Sequence, residues 1–305
     1  MSKPATKATA DSVAPTAITL NPIAPNPIAF TVAIPTYNGA QRLPEVLRRL
    51  QAQVDLADLS WEVLVVDNNS SDETGSVIQA FQTDFPCPLR YLFEPQQGAG
   101  AARQLAIRAA QADLIGFIDD DLWPEPDWVM AAYRFGQQHP QSGAYGSRVS
   151  ADYEVPPPPK FKRIQAFLAI TERGDLPRLY PPSQRLLPPG AGLVIRKTAW
   201  LAAVPIQPPS NWLKFKRADG NDCGEDISAL TYIHRCGWEV WYNPQMQLRH
   251  QIPARRLDRA YLLPLFRSIG LSRVITRLTA VPAWQQPLLL LAYSLSDLVK
   301  LLRHW

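Results

Sequence analysis

Alternation constrains this chain more than any other feature. Short apolar runs at residues 30–34, 61–66, 90–93 and 114–118 are separated by stretches with a helical repeat. Residues 40–54 carry Leu43, Val46, Leu47 and Leu50 at i, i+3, i+4 and i+7, which is one face of a helix. Residues 72–81 follow the capping-type sequence Ser70-Ser71-Asp72-Glu73, and residues 98–112 are rich in alanine. A β-α-β-α-β-α-β order needs crossover connections, so it implies a parallel sheet with helices on both faces. Ligands on such sheets collect outside the carboxyl ends of the strands. The fourth run, Leu114-Ile115-Gly116-Phe117-Ile118, ends there in Asp119-Asp120-Asp121. Three adjacent carboxylates repel one another unless they are solvated or neutralised by a divalent cation. Carboxylates suit Mg²⁺ or Mn²⁺, ions that keep waters and bind substrate phosphates.

Beyond residue 124 the pattern is less regular. A helix is expected over 124–138, a short strand over 143–147 and an amphipathic stretch over 160–170 between two proline clusters. A strand follows at 190–195, then a loop with proline and lysine over 205–217, a helix over 224–236, and two strands at 238–242 and 246–250. Residues 1–29 are Ala, Thr and Pro with little apolar content and read as a disordered tail, giving a globular unit over 30–253. Residues 254–305 form a helical extension, rich in arginine over 255–277 and in leucine over 287–305. Two readings of that extension stand: an interfacial helix lying on a membrane, or a helix packed on the domain's own core or on a partner.

A chain of 305 residues can bury a sizeable core. A net charge of +4 and a pI near 9.0 favour anionic partners such as nucleotide diphosphates, lipid phosphates or an anionic membrane face. That bias is too weak to argue for nucleic acid. Cys87, Cys223 and Cys236 make an odd number with no CxxC pair, which points away from a disulfide framework or a zinc site and toward a reducing, cytoplasmic setting. The start of the chain lacks the apolar core of a signal peptide, and no run has the length of a membrane span.

Several motifs lie where strands should end. Ile34-Pro35-Thr36-Tyr37-Asn38 offers backbone groups and an aromatic ring, although Pro and Asn also belong in plain turns. Asp67 falls at the end of the second run, too early to cap the next helix, where an acid can meet a ribose or base edge. Gly98-Ala99-Gly100 begins like a dinucleotide fingerprint, but Arg103 stands where the last small residue belongs and the motif follows the third strand. No P-loop occurs. Arg103 is suited to an anion or an exposed helix face. Gly224-Glu225-Asp226 opens a helix, where acids stabilise the N-terminus and a fixed carboxylate can take a hydroxyl proton. His250 follows the last strands. Trp123, Trp128 and Trp212 are candidates for sugar stacking, with core packing the better reading for Trp128.

Taken in order, these pieces resemble the family 2 glycosyltransferases with the GT-A fold. The match rests on Ile34–Asn38, Val65–Thr74, Gly98–Arg103, Phe117–Asp121, Gly190-Ala191-Gly192, Gly224-Glu225-Asp226, and Tyr242-Asn243-Pro244 followed by His250. His250-Gln251-Ile252-Pro253 and the arginine-rich segment after it are similar to a cyanobacterial branch that makes hormogonium polysaccharide. The resemblance implies a mostly parallel nucleotide-binding sheet flanked by helices, a nucleotide-sugar donor, Mg²⁺ or Mn²⁺, and inversion at the anomeric carbon. It implies a donor pocket of Pro35, Thr36, Tyr37, Asp67, Arg103, Asp119 and Asp120. Asp121 would ligate the metal, with Asp119 and His250 beside it. Asp226 would be the base, as the second acid of the pair with Glu225. The expected acceptor is a saccharide or a lipid-linked saccharide, and the expected setting is exopolysaccharide or cell-surface glycan synthesis. Lys214, Lys216 and Arg217 would lie in a lid over the site. Two other readings remain: a sugar nucleotidyltransferase, for which Ala40-Gln41-Arg42 does not supply the needed glycine-rich basic loop, and a non-catalytic carbohydrate-binding homologue.

Overall fold

The computed structural model describes residues 27–182, 186–205, 225–279 and 283–304. Its first half follows the expected alternation: β1 (Phe30–Thr36), α1 (Leu43–Gln51), β2 (Trp61–Asp67), α2 (Thr74–Gln82), β3 (Leu89–Phe93), α3 (Ala99–Ala109) and β4 (Leu114–Phe117). The four strands are parallel, in the spatial order β3-β2-β1-β4. Every residue of β2 is buried, as it must be when helices cover both faces of a sheet. Leu43, Val46, Leu47 and Leu50 form the buried stripe of α1.

The second half turns the sheet antiparallel. The short β5 (Leu122–Pro124) and α4 (Trp128–Gln138) are followed by the long β6 (Ser142–Tyr153), the two-residue β7 (Arg178–Leu179), β8 (Leu193–Arg196), α5 (Lys197–Ala203), α6 (Glu225–Arg235) and β9 (Glu239–Ile252). The sheet continues β4-β8-β6-β9-β5, with β8 antiparallel to β4 and to β6, and β5 antiparallel to β9. The parallel part is therefore β1 to β4 together with the β6–β9 pair. Two strands escape sequence reading, β5 and β7, because three and two residues carry no periodicity. The strands expected at 238–242 and 246–250 are one strand, β9, whose register against β6 shifts between Ser147 and Arg148. That irregularity breaks the alternation that a sequence pattern relies on. The amphipathic stretch 160–170 is two 3₁₀ turns, Phe161–Arg163 and Gln165–Leu168, which bury Phe161 and Leu168.

Trp128 fixes how α4 meets the sheet. It is fully buried, edge-on to Phe30 with ring centroids 6.2 Å apart, and its indole N–H donates to Ser147 Oγ at 3.1 Å. A Cβ at Gly116 would lie 2.7 Å from the indole ring, so β4 can pass under Trp128 only with glycine there. Core packing is thus the role of Trp128. Trp123 is covered by the Arg49 guanidinium, 4.5 Å from the ring centroid, and packs against the same core, which makes it part of the α1–β5 contact and no sugar platform.

After β9, a 3₁₀ turn (Ala254–Leu257) leads into α7 (Arg259–Thr279) and α8 (Gln286–His304). Leu257 and Leu265 are buried against the main core, while α8 exposes Leu288, Leu291, Leu295, Leu298 and Leu302 at alternating spacings of three and four. No described helix is long and apolar enough to cross a membrane.

Candidate active site

The carboxyl ends of β1, β2 and β4 come together by virtue of parallel pairing, which aligns Thr36 with Asp67 and carries Ile118 onto the Ala33 carbonyl. The acid turn therefore leaves the sheet next to Thr36 and Tyr37. Its three carboxylates point to three different partners.

Asp120 turns inward. Arg42 Nε donates to its Oδ1 at 2.8 Å, Arg42 Nη2 donates to its Oδ2 at 2.9 Å, and Thr36 Oγ1 donates to the same Oδ2 at 2.6 Å. Arg42 Nη2 also reaches the Tyr37 carbonyl at 3.0 Å. Asp120 and Thr36 are both buried. Burial pushes the Asp120 carboxyl up, and its hydrogen bond from Arg42 opposes this. Thr36 and Asp120, both expected in the donor pocket, here clasp the β1–α1 turn to the acid turn with their polar atoms. Tyr37 is exposed and Pro35 partly buried at the end of β1.

Asp119 keeps a third of its side chain exposed and faces Arg103, whose Nη2 lies 3.4 Å from Asp119 Oδ1. Burial raises the Asp119 carboxyl, Arg103 opposes this, and Asp121 and Asp120 add to the rise. Arg103 thus leans toward the acid turn. Asp67, at the end of β2, accepts from the Ser70 N–H at 2.9 Å and from the Tyr91 hydroxyl at 2.9 Å. Burial, then the bond to Asp67, pushes the Tyr91 hydroxyl up to about 12. The neighbouring Asn68 was not singled out from sequence. Its Oδ1 accepts from the Gly98 N–H at 2.7 Å, and its Nδ2 donates to the Glu94 and Gln96 carbonyls. Asn68 thereby anchors the loop that starts α3 and aims Arg103.

Asp226, in the first turn of α6, joins the same place. The Gly190 N–H donates to Asp226 Oδ2 at 2.7 Å. A Cβ at Gly190 would sit 3.1 Å from that oxygen and 3.2 Å from Arg103 Nη2. Asp226, Arg103 and Asp119 therefore line one recess around a residue that has no side chain. The side chain of Glu225 lies outside the described residues, as do Trp212, Lys214, Lys216, Arg217, Cys223 and Gly224.

Asp121 faces away from this recess, toward β9. Leu122 pairs with His250, and the Gln251 N–H donates to the Asp121 carbonyl at 3.0 Å, so the acid turn is stitched to the end of β9. Asp121 Oδ2 and His250 Nε2 are 3.5 Å apart. His250 is buried, and its Nδ1 meets the Leu168 carbonyl at 2.8 Å. A carbonyl only accepts, so Nδ1 carries the proton; Arg256 Nη1 only donates, so Nε2, 2.8 Å away, accepts. This hydrogen-bonding pattern directs the His250 Nε2 lone pair at the acid turn, the orientation a metal-binding histidine needs. Arg256 Nη2 donates to Asp121 Oδ2 at 2.6 Å. Burial works against the Arg256 charge, but Asp121 more than offsets this and its affinity for the proton rises. No set of three or more metal-binding side chains occurs among the described residues. One carboxylate and one imidazole still fit Mg²⁺ or Mn²⁺, because such ions take their remaining ligands from water and substrate phosphates. Arg42 and Arg256 were missed as site residues because each lies far in sequence from the acid it pairs with.

A parallel sheet whose strand ends carry acids, an arginine and a helix-borne carboxylate defines a class: the nucleotide-sugar-dependent transferases of GT-A fold. Residues 31–200 match the model of the family described as Glycosyl transferase family 2, and the chain belongs to that family. Among similar curated proteins are an uncharacterised glycosyltransferase of Bacillus subtilis, YfnE (37% identical over 99 residues, 32% of this chain and 24% of that protein), and an undecaprenyl-phosphate 4-deoxy-4-formamido-L-arabinose transferase of Pseudomonas syringae (31% over 117 residues, 37% and 34%). The poly(ribitol-phosphate) beta-N-acetylglucosaminyltransferase TarS of Staphylococcus aureus is 28% identical over 110 residues, 36% of this chain and 19% of TarS. These matches thus span between 19% and 34% of the relatives' own length. The crystal structure of TarS residues 1–349 with UDP-GlcNAc shares the fold, with a TM-score of 0.56 at 17% identity over 85% of this chain and 69% of that one.

Proposed function

We propose that this protein transfers a sugar, with inversion, from a nucleotide-sugar donor to a hydroxyl of a saccharide or lipid-linked acceptor, in exopolysaccharide or cell-surface glycan synthesis. The observation that carries the proposal is the convergence of Arg103, Asp119 and Asp226 around Gly190, next to the Asp121–His250 pair. The TarS structure named with UDP-GlcNAc, and the relative named for transfer to or from undecaprenyl phosphate, support the donor and acceptor classes.

Tyr37 and Asp67 hold the nucleoside at the ends of β1 and β2. Arg103 steadies Asp119 against the donor. Asp226, fixed by the Gly190 N–H, takes the proton of the acceptor hydroxyl as that oxygen attacks the anomeric carbon. The bond from that carbon to the diphosphate breaks on the opposite face, and the nucleoside diphosphate leaves. Glu225 precedes the base as the first acid of the pair. Asp121 and His250, with Asp119 nearby, would hold a Mg²⁺ or Mn²⁺, which supplies positive charge for the leaving diphosphate when bound. A single displacement of this kind needs no second protonating carboxylate, unlike glycoside hydrolysis.

The transferase unit covers residues 30–253, with 254–305 as its membrane-facing extension. Residues 254–305 carry eight Lys and Arg against two Asp, and α8 presents an exposed leucine stripe, a combination suited to an anionic cytoplasmic membrane face that bears a lipid-linked acceptor. Flotation with anionic vesicles tests this extension, which fails if α8 leucine-to-serine variants float as well as the natural chain.

The test of function is a donor panel incubated with the protein and Mn²⁺, with nucleoside diphosphate release as the readout. Pyrophosphate release would instead identify a nucleotidyltransferase. Asp226→Asn is expected to abolish transfer while leaving nucleotide affinity within about twofold, since it removes a base and keeps the hydrogen-bonding shape.

A further inference from the structure

Arg256 has no part in the displacement written above, yet it occupies a central position in the site. One guanidinium donates both to His250 Nε2 at 2.8 Å and to Asp121 Oδ2 at 2.6 Å. Those are the two protein atoms that fit a divalent cation, and they stand 3.5 Å apart. A cation bound to both would need the single Nε2 lone pair that Arg256 now takes, and would sit against the guanidinium's own positive charge. The guanidinium and the ion are therefore alternatives. Arg256 lies in the 3₁₀ turn that follows β9, its side chain is one-fifth exposed, and its Nε has no hydrogen-bond partner among the described residues. It is held by the pair it bridges and by the Tyr261 ring, whose centroid lies 5.9 Å from the guanidinium carbon.

We propose that Arg256 is a built-in stand-in for the metal: it keeps the Asp121–His250 pair neutralised until a diphosphate arrives, then moves onto the diphosphate and yields the pair to the cation. The device makes metal binding conditional on the donor. Without diphosphate, the ion must displace a bidentate charge-assisted contact, so its apparent affinity falls by the fraction of molecules in which Arg256 is disengaged. With diphosphate, the guanidinium gains a bidentate anionic partner and that handicap disappears. Linkage requires the converse: the cation tightens diphosphate binding by the same factor. Arg256 is thus a positioning residue that couples two ligands, and the inference rests on the proposed metal-bearing donor site.

The test is Mn²⁺ binding to the full chain, followed by electron paramagnetic resonance of free Mn²⁺, with and without saturating UDP, corrected for Mn²⁺–UDP complexes in solution. The natural chain is expected to bind Mn²⁺ at least tenfold more tightly with UDP. Arg256→Met is expected to bind Mn²⁺ alone at least tenfold more tightly than the natural chain and to lose most of the UDP coupling. Arg256→Lys, which keeps the charge and the packing of the stem, is expected to fall between the two, and it serves if the methionine variant does not fold. Asp121→Asn added to Arg256→Met is expected to remove the gain. Arg256→Met and Arg256→Lys both matching the natural chain in Mn²⁺ affinity without UDP, while Mn²⁺ still binds with UDP, would overturn the exchange and leave the metal site intact. A gain that survives Asp121→Asn also overturns it. Absence of Mn²⁺ binding to any form, with UDP bound, would instead refute the metal-bearing donor site itself.

Discussion

Replacing Asp120 by alanine separates a clasp from a ligand. In the folded chain Asp120 accepts three hydrogen bonds, at 2.8 and 2.9 Å from Arg42 and 2.6 Å from Thr36. Bonds to a charged group contribute roughly 1.5–3 kcal/mol each when buried. They do not add here. Arg42 keeps 39% of its side chain exposed and regains water when its partner is lost, so its share must be discounted. Thr36 is 4% exposed and would be left with an unsatisfied hydroxyl, at about 1–2 kcal/mol. Together these give a loss of about 2–3 kcal/mol, or a fall of about 3–5 °C in Tm for a chain of this size. Nucleotide affinity should change little, since both carboxylate oxygens of Asp120 are turned inward onto Arg42 and Thr36. Urea unfolding and calorimetric titration with UDP measure the two effects separately. An Asp120→Ala protein with unchanged stability and a tenfold or greater loss of UDP affinity would refute the clasp and return Asp120 to the donor pocket.

Gly190→Ala would put a methyl group 3.1 Å from Asp226 Oδ2 and 3.2 Å from Arg103 Nη2, so transfer should fall about tenfold or more while stability stays within about 1 kcal/mol; turnover assays beside thermal melts check it. Trp128→Ala would empty a fully buried site between Phe30 and Gly116 and should cost about 3–5 kcal/mol in denaturant unfolding. His234 on α6 has its proton affinity lowered from the ordinary 6.5 by burial, with the Tyr180 backbone opposing. The folded chain then disfavours the charged ring more than the unfolded chain does, so stability is whole above pH 6.5 and declines as pH falls through that value. Melts at descending pH should show the decline in the natural chain and a weaker one in His234→Gln.

Local pattern explains what was readable in the chain. The helical repeat of Leu43, Val46, Leu47 and Leu50 specified α1, and short, mainly apolar runs specified the buried β1, β2 and β4. The β5 and β7 strands have no pattern of their own, since β5 exists because Leu122 and Trp123 pair with His250 and Arg249 of a strand far along the chain. The acid triplet shows the same division. Three aspartates after a buried strand announce a site, but their side chains leave the turn in different directions, and neither direction nor partner is written in the run itself.

Sequence by itself determined that a parallel sheet forms, that its strand ends carry Asp67 and the acid triplet, and that the ordered motifs are those of a family 2 glycosyltransferase. The first two depend on periodicity and on residue type at strand ends, both of which are local; the third is a resemblance carried by the motifs in their order. Only the tertiary structure decided the work of each carboxylate. Asp120 went to Arg42, Asp119 to Arg103 and Asp121 to Arg256, across sequence separations of 78, 16 and 135 residues. Ion pairs form between groups that the fold brings within about 3 Å, and no local rule reports which distant arginine will arrive.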